Sequence, residues 1–242
     1  MNTRLVPLTF ASAIFICVVP AQEFPSLSYS VGRNEATITF GPPRAMSSTT
    51  GAPYSADQMM EHTFTQASGA STTKTSVIGH FFRDSQGRTR MERAQKPAPI
   101  WLTEIFDPVG GFGYLLDEQN KVAHRMALQQ RLDTSPTETG RSGTISEKLG
   151  MRTIEGVTAE GTRTTTTSHA GVVGNSIPKS LTIETWDSKE LKENLLTKSS
   201  NGYSTWLTNL SRAEPDPTRF QLPVDYTVVD DKDSFTMTIK FQ

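Results

Sequence analysis

The sequence predicts an all-β fold with minor helix, a large curved antiparallel meander closing into a half-barrel or a barrel. Three observations predict it. Apolar residues alternate along most of the chain beyond residue 55, as where Phe235, Met237, Ile239 and Phe241 are separated by Thr236, Thr238 and Lys240. Turn signals divide these runs at short intervals. No segment of ten or more residues carries a helical apolar stripe.

Residues 1–21 read as an address and not as fold. Arg4 gives a short positive region, Leu5 to Val19 form an apolar run, and Val19-Pro20-Ala21 offers a signal peptidase small or short residues. The expectation is export to the periplasm or beyond, with cleavage after Ala21 and no membrane span afterwards. Bulky Phe15-Ile16 precede the lone Cys17, which argues against a lipoprotein anchor. Residues 22–55 read as a partly irregular N-terminal extension. Ala36 to Phe40 is a candidate strand, and Gly41-Pro42-Pro43 and Gly51-Ala52-Pro53 are loop.

Residues 56–242 read as one β domain. Met60, His62 and Phe64 alternate with Met59, Glu61 and Thr63. Ile78, His80 and Phe82 follow in a strand covered on both faces, and Asp84-Ser85-Gln86-Gly87 turns the chain into a return strand, Arg88 to Arg93. Strands at Ile100 to Phe106, Phe112 to Leu116 and Val122 to Met126 complete a first run of hairpins. Gln129 to Gly143 is a polar loop. Ile154-Glu155-Gly156-Val157 has a turn-like centre, and the threonine run Thr164 to Thr167 suits a strand because β-branched side chains fit a pleat. Leu181, Ile183 and Thr185 mark another strand. Asp187-Ser188-Lys189-Glu190 resembles a capping box and predicts a helical turn. Asn201-Gly202 predicts a hairpin joining a strand near Leu195 to one containing Trp206 and Leu210.

The 24 basic and 25 acidic residues leave a formal net charge of -1, which excludes a strongly basic nucleic-acid binder. The one cysteine, Cys17, lies in the expected leader, so cleavage after Ala21 would leave no thiol for catalysis, disulfides or zinc. The G-x-S-x-G, H-E-x-x-H, phosphate-loop and dinucleotide patterns are all missing, so the expectation is a protein that is not an enzyme and needs no cofactor or metal.

The segments Phe82-Arg83-Asp84-Ser85-Gln86-Gly87-Arg88-Thr89-Arg90, Phe106-Asp107-Pro108-Val109 and Leu149 to Val157, with Glu184-Thr185-Trp186 and Arg212 to Phe220, resemble a family of uncharacterised exported proteins of Gram-negative soil bacteria. The resemblance covers roughly residues 55 to 230 and implies location and fold. More distantly, the meander is similar to the half-barrel of LolA-type lipoprotein carriers and of RseB-type sensor domains. That resemblance implies an acyl chain held on the concave face.

A concave sheet face is filled by side chains, a helix or a ligand. The candidate ligand residues are His62, His80, His124, Tyr114, Trp186 and Trp206. The three histidines converge on a metal or polar head group if their faces coincide; otherwise each is satisfied separately in a half-buried sheet. Arg83, Arg88, Arg90 and Arg93 cluster on one hairpin. They either grip a partner's acidic groups or form a solvated face paired to Asp84 and Glu92. The expected partner is an apolar small molecule or lipid, or an envelope protein. A hydrolase would require a histidine paired to a serine or carboxylate within a pocket.

Overall fold

The computed structural model describes residues 27–32, 35–40, 48–66, 68–95, 100–128, 142–168 and 179–240. Residues 1–21, which the sequence suggests are a leader, most of the polar loop and His169 lie outside them. The described residues form fifteen strands: β1 Leu27–Val31, β2 Glu35–Phe40, β3 Tyr54–Thr65, β4 Ser71–Arg83, β5 Thr89–Gln95, β6 Ile100–Asp107, β7 Phe112–Asp117 and β8 Val122–Ala127; then β9 Ser142–Ile154, β10 Val157–Ser168, β11 Lys179–Ser188, β12 Glu193–Ser199, β13 Tyr203–Ser211, β14 Thr227–Asp230 and β15 Phe235–Lys240. The helical content among the described residues is one 3-10 turn, Pro217–Phe220, capped by Asp216.

Twelve strands form one curved sheet in the order β14-β8-β7-β6-β5-β4-β3-β13-β12-β11-β10-β9. It is not closed into a barrel: β14 and β9 are its edges. The chain lays down one meander from β3 to β8, begins a second with β9 at the far edge, and returns so that β13 pairs antiparallel with β3. β14 pairs with β8 in parallel. A second sheet, β1-β2-β15, joins both ends of the chain. Thus the segment expected to be partly irregular contains two strands, because β2 finds its partner in β15, about 200 residues later by register (Ala36 to Ile239).

Cross-strand rows show how the sequence positions its core. Ala56, Phe81, Met91, Glu104, Leu115 and His124 lie side by side across six strands on one face. The β1-β2-β15 sheet covers the β6–β7 part of this face, with Ala36, Ile38, Phe40 and Met237 packed on Leu102 and Leu115, while Ala56, Phe81 and Met91 pack with Trp186, Leu191, Leu195 and Leu207. On the other face Ile105, Leu116 and Ala123 lie beneath Leu222 and Tyr226 of the segment after β13. That segment is fastened by Arg219 over the Phe82 ring (4.5 Å) and Arg88 over Phe220 (5.3 Å).

The predicted helical turn at Asp187 to Glu190 does not form. β11 runs on through Ser188, whose Oγ accepts from the Leu191 N–H (3.2 Å), and Ser188 pairs with Glu193 across the turn. The same short polar residues that cap helices also stabilise turns, and strand pairing decides here. The Asn201-Gly202 hairpin joins β12 to β13 as its sequence predicts. No helix among the described residues is long and apolar enough to cross a membrane.

Candidate functional site

The β9–β10 hairpin turns at Glu155 (φ 47°) and Gly156 (φ 76°), both left-handed as a two-residue type I′ turn requires. Glycine tolerates this geometry; glutamate adopts it at a cost. The turn swings Arg152, Ile154 and Glu155 toward β12 and β13. There they border an open cleft of about 380 Å³, lined also by Glu61, Leu196, Lys198, Ser204, Trp206 and Leu207.

Register explains the cleft's two-sided character. Glu61, Ser204 and Lys198 are opposite one another on β3, β13 and β12, and form a polar row. Met59, Trp206 and Leu196 form the neighbouring apolar row, which continues to Trp186 and Gly161. A Cβ at Gly161 would lie 2.7 Å from the Trp186 ring and 2.9 Å from the Leu149 Cβ, so glycine is what lets the indole lie against β10. Trp186 is buried, with the Arg152 guanidinium 4.4 Å from its ring centre. Its Nε1 has no hydrogen-bond partner among the described residues. The polar row extends outward through Glu184, Arg163 and Glu147, with Arg163 donating to Glu184 (2.6 and 2.9 Å) and Glu147 (3.0 Å).

Beside the cleft, the β12–β13 ladder is short: Leu196, Thr197 and Lys198 pair with Trp206, Thr205 and Ser204. Beyond it, side chains take over. Tyr54 donates to Glu193 Oε2 (3.0 Å), and Arg83 donates to Glu193 Oε2 (3.3 Å), the Ala52 carbonyl (2.9 Å) and the Leu191 carbonyl. The Arg83 and Glu193 side chains are 3% and 8% exposed, so both groups are dry. Burial pushes the Glu193 carboxyl up to about 7, against the opposing pull of Arg83 and Tyr54. Burial likewise raises the pKa of Glu104, beside Arg93 at 3.8 Å.

The expected ligand residues disperse. Trp206 lines the cleft. His80 shares a row with Asp57, whereas His124 lies in the row with Phe81, on the opposite face. Each histidine is satisfied separately. His80 Nδ1 bonds Asp57 (2.6 Å), with Trp101 stacked at 5.2 Å; His124 Nδ1 bonds Asp231 (2.8 Å) against Phe235 at 4.2 Å; His62 stacks on Tyr203 at 3.5 Å and meets Phe64. Asn209, donating to Asp57 at 2.7 Å, is the larger cause holding that carboxyl below its usual range, ahead of His80. Tyr114 packs with Ile105 and Leu116 near Tyr226.

The four arginines also have partners within the chain. Arg83 is buried on Glu193, Arg88 donates to Asp84 (2.6 Å), Arg90 to Glu92 (2.7 Å), and Arg93 to the Met91 sulfur (3.0 Å). Sequence reasoning missed Leu196, Lys198, Arg152 and Glu61, because the β13–β3 pairing that gathers them is non-local. The two turn signals at Glu155-Gly156 and Asn201-Gly202 were the available clue. Compared with known proteins, the chain matches no family model and no curated relative.

Proposed function

We propose that the protein is an exported, non-enzymatic binding protein that takes the apolar part of a lipid-like ligand, or of a lipid-bearing partner, into the cleft at the β12–β13 seam. The observation that carries this reading is the pairing within one cleft of an apolar side (Ile154, Leu196, Trp206, Leu207) and a charged side (Glu61, Arg152, Glu155, Lys198). An amphiphile matches both: its chain lies on the indole and its head meets the charges. Export to the periplasm or outside the cell rests on the leader at residues 1–21. The likeness to LolA-type carriers supports the reading by analogy of architecture. Hydrolysis is disfavoured because the aspartate-paired histidines, His80 and His124, do not line the cleft.

The test is native mass spectrometry of the purified protein with dodecanoic acid and with lauroyl lysophosphatidylcholine. The reading predicts one bound acyl chain, lost in Trp206→Ala and in Ile154→Asp. No adduct with either probe, or undiminished adducts in both variants, overturns it.

A second reading, an envelope interaction module, is favoured by the edge strand β9. It is 13 residues long and exposes Ile145 (74%) and Met151 (64%). It predicts that Ile145→Lys abolishes capture of a partner while acyl binding persists.

A further inference from the structure

Two strand units meet at the β12–β13 seam. β9 to β12 form one, and β13 with the β3–β8 meander forms the other. Three register pairs link them along the backbone. Past Leu196, β12 turns its pairing wholly toward β11, where Asp187 and Ser188 pair with Asn194 and Glu193, and Leu195 is the extra residue of a bulge. On the other side, β13 carries its own irregularity between Thr208 and Ser211. Into the gap reach Tyr54 from β3, Arg83 from β4 and Glu193 from β12. A thin ladder flanked by bulges is a natural place for local opening, and here a buried ionic cluster spans it.

We propose that Glu193, with Arg83 and Tyr54, is a proton-sensitive latch across the β12–β13 seam, closed when Glu193 carries a proton and loosened when it does not. The cleft of the proposed function straddles this seam, with Leu196 and Lys198 on one unit and Glu61, Ser204 and Trp206 on the other. The latch therefore deepens that reading by supplying its regulation.

The direction follows from solvation. Burial favours the neutral carboxyl, whereas an opened seam returns Glu193 to water and to its ordinary acidity. The closed state binds the proton more tightly, so its advantage is full below the ordinary carboxylate value of 4.5 and declines as pH rises to about 7. Above that it stays at its lower level. The groups facing Glu193 are Tyr54, Arg83 and Asp187, with Arg93 acting on Tyr54. Asp187 adds to the carboxylate's discomfort; Arg83 and the Tyr54 hydroxyl relieve it in part. Lys189 and Glu190 of the adjoining turn are engaged elsewhere, with Glu160 and Arg212.

The experiment is amide hydrogen exchange on the full chain from pH 5 to pH 8, corrected for intrinsic rates, with no ligand present. The latch predicts that protection at Leu195, Leu196 and Leu207 falls by roughly 70-fold from pH 5 to pH 8, while β6 and β7 hold steady. Glu193→Gln should remove that dependence. Should Glu193→Gln fail to fold, Tyr54→Phe serves: losing the hydroxyl donor moves the transition to higher pH, and a carbon-13 titration of the Glu193 carboxyl moves with it. Seam protection that is flat with pH, or equally pH-dependent in Glu193→Gln, or an unmoved transition in Tyr54→Phe, overturns the proposal. A protein that binds neither acyl probe leaves this seam result untouched, so the two readings fail separately.

Discussion

The β5–β8 part of the large sheet is covered on both faces, while the outer parts of β9 to β11 stand as a single layer. In the covered half, Leu102 and Leu115 are buried under the β1-β2-β15 sheet, and Ile105, Leu116 and Ala123 under the C-terminal segment; beside them, Ala56, Phe81 and Met91 are buried against Trp186, Leu191, Leu195 and Leu207. In the single layer, Thr162 to Ser168 are half-buried and Gly143 to Lys148 are exposed. There, hydroxyl pairs take the place of apolar contacts: Thr165 with Thr182 (3.0 Å) and Thr167 with Ser180 (2.9 Å). The difference teaches that one sheet can be held by burial at one end and by backbone ladders at the other. It also explains how a chain that is 35% hydrophobic sustains so wide a sheet: a large part of it needs no core.

The largest expected effect lies at the junction of the two regions. Glu193→Ala leaves two buried donors, the Tyr54 hydroxyl and the Arg83 guanidinium, without their shared acceptor and should cost about 3–5 kcal/mol in urea unfolding. A midpoint within error of wild type would mean that the cluster holds nothing together. Next comes the covered half. Leu115→Ala, at a site 2% exposed, should lose about 2–5 kcal/mol through lost contacts and a cavity. Gly161→Ala tests the edge of the core, where the new methyl meets the Trp186 ring; calorimetry should show a loss of about 1–3 kcal/mol. A Thr165→Ala, Thr182→Ala pair in the single layer should cost about 1 kcal/mol or less by the same measurement. A loss there as large as that of Leu115→Ala would erase the distinction between the two regions. Smallest of all, Arg163→Ala in the exposed charge row should leave the urea midpoint unchanged.

Much of this fold was legible because period-two patterning and turn chemistry are local. The hairpins at Asp84 to Gly87, Glu155-Gly156 and Asn201-Gly202 all form where glycine supplies a positive φ. What was not legible is long-range. Nothing near Glu35 to Phe40 announces β15 as its partner, and nothing near Arg83 announces Glu193, 110 positions away. Arg83 thus read like its neighbours Arg88 and Arg90, although it is buried and they are not. Periodicity identified faces but not which face of one strand continues that of the next, and so His80 and His124 fell on opposite sides. Of the candidate site, Trp206 was legible as an aromatic on a hairpin strand. The charged residues around it were not, because exposed Lys, Glu and Arg carry no mark of a cleft until the strands are placed.

The central claim is that an acyl chain lies on the cleft at the seam. Photolabelling with a diazirine-bearing fatty acid, followed by mass mapping of the modified residues, tests it most directly. The account predicts label concentrated on Ile154, Leu196, Trp206 and Leu207, and displaced by excess dodecanoic acid. Label confined to the β6–β8 half, or none that dodecanoic acid displaces, would contradict it.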